Sequence, residues 1–314
     1  MRWIMKWQRV AMTGILAAGL FLGGCATPQP VERTDPELKR KASAARAAFE
    51  AGDIRRASDL YQEALMRART TGDAEDIGTH AYNVALCQVL LGRHERALEF
   101  LRQAHYEMDR AEMDMVPLRL VEAEVFLALQ RDGEARWSAE RAVEHARSPE
   151  HRTHARLLLA LMELNAGNTD AARGEYRQAR RHAREASLPV QARTEEVLAR
   201  IGLAEGNHVE AAISYDRAAE LYRRAGQYRE MSRMWIRAGE SYEATGKDAA
   251  AGYRYFRAAR SLFGRNETVE ALRIVERAVE TAERAQDSRL AEEIALLFRE
   301  ISNAVKISGD ATSN

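Results

Sequence analysis

Small and apolar side chains recur along this chain at i, i+4 and i+7, the spacing that puts them on one stripe of a helix. The stripe returns six times. Its members are Ala57, Tyr61 and Ala64; Ala97, Leu101 and Ala104; Ala135, Ala139 and Ala142; Ala172, Tyr176 and Ala179; Ala211, Tyr215 and Ala218; and Ala251, Tyr255 and Ala258. Their first members lie 40, 38, 37, 39 and 40 residues apart. Five residues ahead of each stands Gly52, Gly92, Gln130, Gly167, Gly206 or Gly246, which predicts a turn between two helices. Twelve residues ahead stands Ala45, Ala85, Ala123, Ala160, Ala199 or Gly239, a small residue where the first helix of a pair meets the second closely. Residues 235–258, WIRAGESYEATGKDAAAGYRYFRA, hold the period in its fullest form. A single helix pair cannot bury such a stripe alone, so the pairs must stack on one another.

The pattern predicts an all-α fold, an α-solenoid of antiparallel helix pairs occupying residues 38–306. About six repeats are followed by a different end. Ala271, Val275 and Ala278 repeat the stripe, but Ala271 follows Ala251 by only 20 residues, half a unit. Helices over 268–285 and 288–306 are therefore expected to form a capping pair, because an open solenoid end exposes apolar surface. Residues 307–314 are expected to fray as a disordered tail.

The first 24 residues differ in kind. Arg2, Lys6 and Arg9 precede an apolar run over 10–22, shorter than the roughly 20 residues that span a bilayer, which predicts a signal peptide. Leu22, Gly23, Gly24 and Cys25 resemble the bacterial lipobox. That resemblance implies a mature chain starting at Cys25, held to a membrane by covalent lipid of the palmitate type, with each buried methylene contributing about 0.8 kcal/mol. Ala26 follows in place of the aspartate associated with inner-membrane retention, which implies the outer membrane, facing the periplasm. Residues 25–37 then form the lipidated N-terminus and a proline-containing tether.

Composition adds two exclusions. The chain has 314 residues, 46% of them hydrophobic and 30% charged; loss of residues 1–24 moves the formal net charge from 0 to −3, which gives no footprint for nucleic acid. Cys87 is the one cysteine besides Cys25, so no disulfide framework forms, and its helical surroundings predict a small buried apolar side chain.

With its turn glycines and paired alanines, the chain resembles the tetratricopeptide repeat proteins, whose unit of about 34 residues carries a small residue in its first helix, a turn glycine and alanines in its second. The resemblance rests on Gly52, Ala57, Tyr61, Ala64 and their successors over residues 38–260. The longer period and the missing unit-end proline, absent except at Pro149 and Pro189, depart from the family and bear on superhelical pitch.

What the resemblance implies is a concave surface, lined by the first helix of each pair, that binds other proteins. The inward positions of repeats 2 to 4 are then Tyr82, Asn83, Leu86, Val89, Leu120, Leu127, Leu157, Leu161 and Leu164, a mostly apolar row suited to a helix or extended peptide. The same leucines are equally suited to packing inside the molecule. In repeats 5 and 6 the row turns polar, with Arg193, Glu196, Arg200, Arg233, Glu240 and Glu243. Asn83 matches one position of the family's carboxylate grip, but Pro117 and Val121 replace its basic residues.

Catalysis needs a convergent set of acid, base, nucleophile or metal groups. His145, His151 and His154 come nearest, yet no cysteine or HExxH pattern completes a zinc site, and they read as surface histidines at a helix start. Arg177, Arg180, Arg181, His182 and Arg184 form a basic patch near a helix C-terminus, where cations are favoured. The expectation is a lipid-anchored, non-enzymatic periplasmic scaffold without cofactors. Its partners are envelope proteins, in assembly or localisation of a pilus, secretin or outer-membrane complex. The alternatives are a small-ligand or transport-associated binding protein using the solenoid interior, and a metal protein or enzyme using the histidine cluster.

Overall fold

The computed structural model describes residues 35–312, with side chains through residue 306. The expected signal peptide, Cys25 and the tether up to residue 34 lie outside the described residues. Within them the chain is all-helical, fourteen helices with no strand, and inside each of its two units consecutive helices pack on one another. The chain divides into two compact units after Gln130.

The first unit holds α1 (Pro36–Glu50), α2 (Ile54–Thr71), α3 (Ala74–Leu90), α4 (His94–Arg110) and α5 (Val116–Ala128). The second holds α6 (Asp132–His145), α7 (Pro149–Asn165), α8 (Thr169–Ala183), α9 (Leu188–Ala204), α10 (His208–Arg224), α11 (Tyr228–Glu243), α12 (Asp248–Phe263), α13 (Thr268–Ala285) and α14 (Ser288–Thr312). Both helices of the expected end pair are present. Leu290, Ile294, Leu297 and Ile301 of α14 are buried, while Glu292, Glu293 and Leu296 face outward. α14 runs on to Thr312, past the limit expected at 306, where no proline follows to stop it.

Every member of the six stripes is buried, and so are the small residues twelve positions ahead of them. An alanine leaves the neighbouring backbone free to approach, and the tyrosine or leucine between two alanines fills the space beside them. Among the described residues proline enters only the first helical turn, at Pro36, Pro117, Pro149 and Pro189, where no intrahelical donor is lost.

The turns explain the glycine period. After α1, Gly52 has φ +81°. Its N–H donates to the Phe49 carbonyl and that of Asp53 to the Ala48 carbonyl, both at 3.0 Å. Two carbonyls that the helix leaves open are thereby satisfied. The same pair of bonds recurs at Gly92, Gly167, Gly206 and Gly246. Gln130 adopts the same left-handed backbone, φ +58°, with a side chain attached. It ends the first unit and splits the third expected repeat between α5 and α6. Gln130→Gly is expected to raise stability by about 0.5–1 kcal/mol, because the left-handed region penalises a Cβ. A urea midpoint unmoved or lowered by this change would contradict that account.

Within the first unit α5 is fastened to α4 by a polar clasp. His105 Nδ1 lies 3.1 Å from Glu122 Oε1, and Arg119 Nη1 donates to Glu122 Oε2 at 3.0 Å.

Candidate functional site

The row expected to face a partner falls on both units and is described in its two parts. In the first unit α3 is sandwiched: Ile77, His80, Ala81, Val84 and Gln88 are buried on one side. Tyr82, Asn83, Leu86 and Val89 emerge half-buried along the other edge, and Leu90 beyond them is 52% exposed. Leu127 on α5 is also half-buried, whereas Leu120 is buried. Burial pushes the Tyr82 phenol pKa up, and the Glu124 carboxylate on α5 adds to the shift. The ring is therefore a neutral, largely desolvated surface with an apolar edge, a combination suited to recognition.

In the second unit the expectation fails for two of three residues. Leu157 is fully buried and Leu161 is only 6% exposed; Leu164 alone is half-buried. The run Leu157, Leu158, Leu159, Ala160, Leu161 and Met162 is buried throughout. A helix apolar all round is a core helix, not one with a presenting face. Leu157 and Leu161, with Leu120 in the first unit, are thus packing residues.

The polar row of the second unit is tied into a network. Glu243 accepts from the Tyr255 hydroxyl at 2.8 Å, from Arg277 at 2.8 Å and from Arg284 at 2.5 Å. Arg277 also donates to the Tyr255 oxygen at 2.5 Å and to Glu240 at 3.1 Å, and its guanidinium lies 4.4 Å from the Tyr255 ring centroid. Burial raises the Glu243 carboxyl pKa, but the bonds from Tyr255, Arg277 and Arg284 outweigh it and hold the group below the usual carboxylate range. Further along, Glu196 accepts from Tyr222 at 3.4 Å and Arg200 donates to Asn165 at 3.2 Å. Glu240 and Glu243 stitch α11 to α12 and α13, while Glu196 and Arg200 bond from α9 to α10 and α7.

Sequence reasoning missed one buried titratable group, His80, which is 6% exposed and whose Nδ1 has no hydrogen-bond partner. Its signal was its place on the apolar stripe between Ile77 and Val84. Burial, with help from the Arg46 charge, pushes its pKa down to about 4. A group whose folded pKa is depressed loses stability as pH falls from its unfolded value toward its folded one. Acidification from about 6.5 to 4 is therefore expected to cost on the order of 2–3 kcal/mol, up to about a tenfold loss in the folding equilibrium for each pH step across that window. A His80→Gln variant should lose that slope. Equal acid slopes in urea melts of both proteins would refute it.

Cys87 is fully buried, and burial pushes its thiol up to about 12, leaving an inert protonated group. His151 is buried rather than on the surface, and His145 Nδ1 lies 2.9 Å from the Arg141 carbonyl on its own helix. Among the described residues no group of three or more His, Cys, Asp or Glu side chains is placed to hold a metal ion. Arg177, Arg180, Arg181 and Arg184 are exposed at the end of α8. An open recess of about 480 Å³ between α7 and α8 is lined by Arg156 and Glu175, which pair at 2.8 Å.

No family model matches the chain, and a search of curated proteins found no match either. Solved structures do resemble it. The Rap conjugation gene regulator of the plasmid pLS20, in complex with the Phr* peptide, aligns with a TM-score of 0.59 at 16% identity, covering 85% of this chain and 75% of that one. A Rap protein complexed with competence and sporulation factor aligns at 0.55 and 14% identity over 87% of this chain and 99% of that one. A signal transduction ATPase with a tetratricopeptide repeat sensor, from Pyrococcus horikoshii, aligns at 0.55 and 15% identity, covering 88% of this chain but 43% of the other. At these identities the likeness establishes the fold, a helical repeat of the tetratricopeptide type.

Proposed function

We propose that the chain is a non-catalytic interaction scaffold that binds a segment of another protein along α3 and α5 of its first unit. The observation that carries this reading is the partly exposed apolar edge of Tyr82, Leu86, Val89 and Leu90, with Leu127 across from it on α5. Such an edge on an otherwise sealed helix fits an amphipathic helix or extended peptide whose own apolar side chains need cover. The two Rap structures, which share this fold, were solved with the Phr* peptide and with competence and sporulation factor.

The sequence ahead of the folded body supports the finer part of the proposal. The charged and apolar start over 1–24, with LGGC at 22–25, favours a covalent lipid on Cys25, and Ala26 favours the outer membrane, facing the periplasm. Anchored there, the scaffold would assist assembly or localisation of an envelope complex of the pilus, secretin or outer-membrane-protein kind. Two experiments separate the halves of this reading. Cys25→Ser should abolish metabolic incorporation of a labelled palmitate and release the chain from membranes. Photo-crosslinking from position 90 in intact envelopes should capture a stoichiometric protein partner that is lost in Leu86→Arg while the far-ultraviolet circular dichroism stays unchanged. Capture that is indifferent to Leu86→Arg would remove the binding face from consideration.

A further inference from the structure

A recess of about 210 Å³ lies between α2 and the α3–α4 turn of the first unit, lined by Arg55, Ser58, Asp59, Gln62, Arg93 and Arg96. Many arginines elsewhere pair with carboxylates, as Arg67 does with Asp35 at 2.6 Å and Arg254 with Asp216 at 2.7 Å, while others, such as Arg177 and Arg181, are exposed singly. None of the three that line this recess has an ion-pair partner among the described residues. Three guanidiniums and one carboxylate around a single recess leave an excess of positive charge there, which an anion would relieve.

The floor of the recess points the same way. Ser58 is 2% exposed and its oxygen accepts from Gln88 Nε2 at 2.8 Å and from Gln62 Nε2 at 3.2 Å. Both acceptor sites are then in use, and the hydroxyl proton is left to donate. Other buried hydroxyls spend that proton on the carbonyl four residues earlier, as Thr194, Ser232 and Ser241 do. With the Gln88 amide in this orientation the Ser58 proton has no acceptor among the described residues, and Gln88 Oε1 is likewise buried without a partner.

Later repeats show why the space exists. Ser58 follows the first alanine of its stripe, and the residues in the same place two and three repeats later are Arg136 and Arg173. Those side chains seal their own junctions: Arg136 donates to Glu163 at 2.7 Å, and Arg173 Nε to Glu205 at 2.9 Å. Gln88 occupies the position of Glu163, four residues before the turn glycine. Exchanging a bulky ion pair for serine and glutamine vacates the junction and leaves neutral hydrogen-bonding groups at its base.

We propose that this recess binds a phosphate group. Three guanidiniums offset by Asp59 suit a phosphomonoester, which carries about −1.5 to −2 charge at pH 7 and presents three acceptor oxygens to fixed forks and one hydroxyl donor. Free phosphate and a phosphate-bearing headgroup share this chemistry. The site is separate from the α3–α5 edge and stands whether or not a protein binds there.

The test uses the full-length protein in neutral detergent at constant ionic strength, with phosphate exchanged for chloride. Inorganic phosphate should bind saturably and raise the melting temperature. Arg93→Gln and Arg96→Gln, both exposed positions, should each weaken binding at least about tenfold without shifting the phosphate-free melting temperature. Asp59→Asn should tighten it. Water-soluble dihexanoyl phosphatidate, with dihexanoyl phosphatidylcholine as control, distinguishes the sources. Phosphatidate bound no better than inorganic phosphate means a free phosphate ligand; phosphatidate bound about tenfold better means a headgroup, the acyl stem adding contact. Absence of saturable binding by either probe, or binding equal in the native chain and both arginine variants, overturns the proposal.

Discussion

Gly239→Val is expected to remove about 4 kcal/mol of stability, at the upper end of what overpacking costs. A Cβ at this position would stand 2.6 Å from Tyr255 Cε1 and 2.9 Å from Cδ1 and Cζ. The ring has nowhere to go, since Tyr255 is fully buried between Ala251 and Ala258 and its oxygen is held by Glu243 and Arg277. In three other pairs an alanine stands at the glycine's place across from a tyrosine, as Ala45 with Tyr61, Ala160 with Tyr176 and Ala199 with Tyr215. None of those hydroxyls is fastened by a hydrogen bond among the described residues, so their rings are free to give by a few tenths of an ångström. Urea unfolding followed by circular dichroism measures the loss. Gly246→Ala provides the contrast: its φ of +70° strains a Cβ that meets no atom within 4 Å, so only about 1 kcal/mol is expected. If Gly239→Val unfolds within about 1 kcal/mol of the parent protein, the close approach of α11 to Tyr255 is not what sets the stability of this repeat. A second step probes the cause: Tyr255→Leu, which copies the Ala85 and Leu101 arrangement, should cost less in a Gly239→Ala background than in the native one.

The seams, the turns and the end pair were legible because each is a local rule repeated at a fixed interval. In each of the six stripes an alanine two turns from another alanine is buried with it, and Gly52 or Gly206 marks a left-handed turn. The break after Gln130 was visible as the one missing glycine, but its consequence for the division into two units was not, because that depends on how many neighbours α5 and α6 each gather. The candidate face was half legible for a related reason. Helical spacing tells which residues share a stripe; it does not tell how deeply the adjacent helices cover that stripe. Leu86 and Leu161 occupy equivalent positions, yet α3 leaves its stripe at an edge while the 157–162 run of α7 is buried on every side. The polar row of α9 and α11 was legible as a change of composition, but its pairing was not. The carboxylates of Glu240 and Glu243 are taken up by Arg277 and Arg284 of α13, some forty residues on, a pairing that no local pattern announces. The arginine recess was hidden in the same way, since its cations come from α2 and from the turn and start of α4.

That difference in depth makes Leu161→Arg and Leu86→Arg a decisive pair. Leu161 lies in the buried run of α7, so its replacement gives up about 2–5 kcal/mol of packing. It also forces a guanidinium into apolar surroundings or out past them, at a further cost. The sum, about 4–6 kcal/mol, is comparable to the whole stability of an ordinary domain, so this variant should lose cooperative unfolding and much of its helicity. Leu86 is half-buried at the edge of α3, where an arginine stem lies along the surface with its head in water; the expected cost there is about 1 kcal/mol. Circular dichroism melts of the two variants therefore diverge. If Leu161→Arg kept a native melt and weakened partner capture, the α7 leucines would belong to the binding face. If both variants melted alike and low, the α3 edge would be core as well, and the binding face proposed on it would be lost.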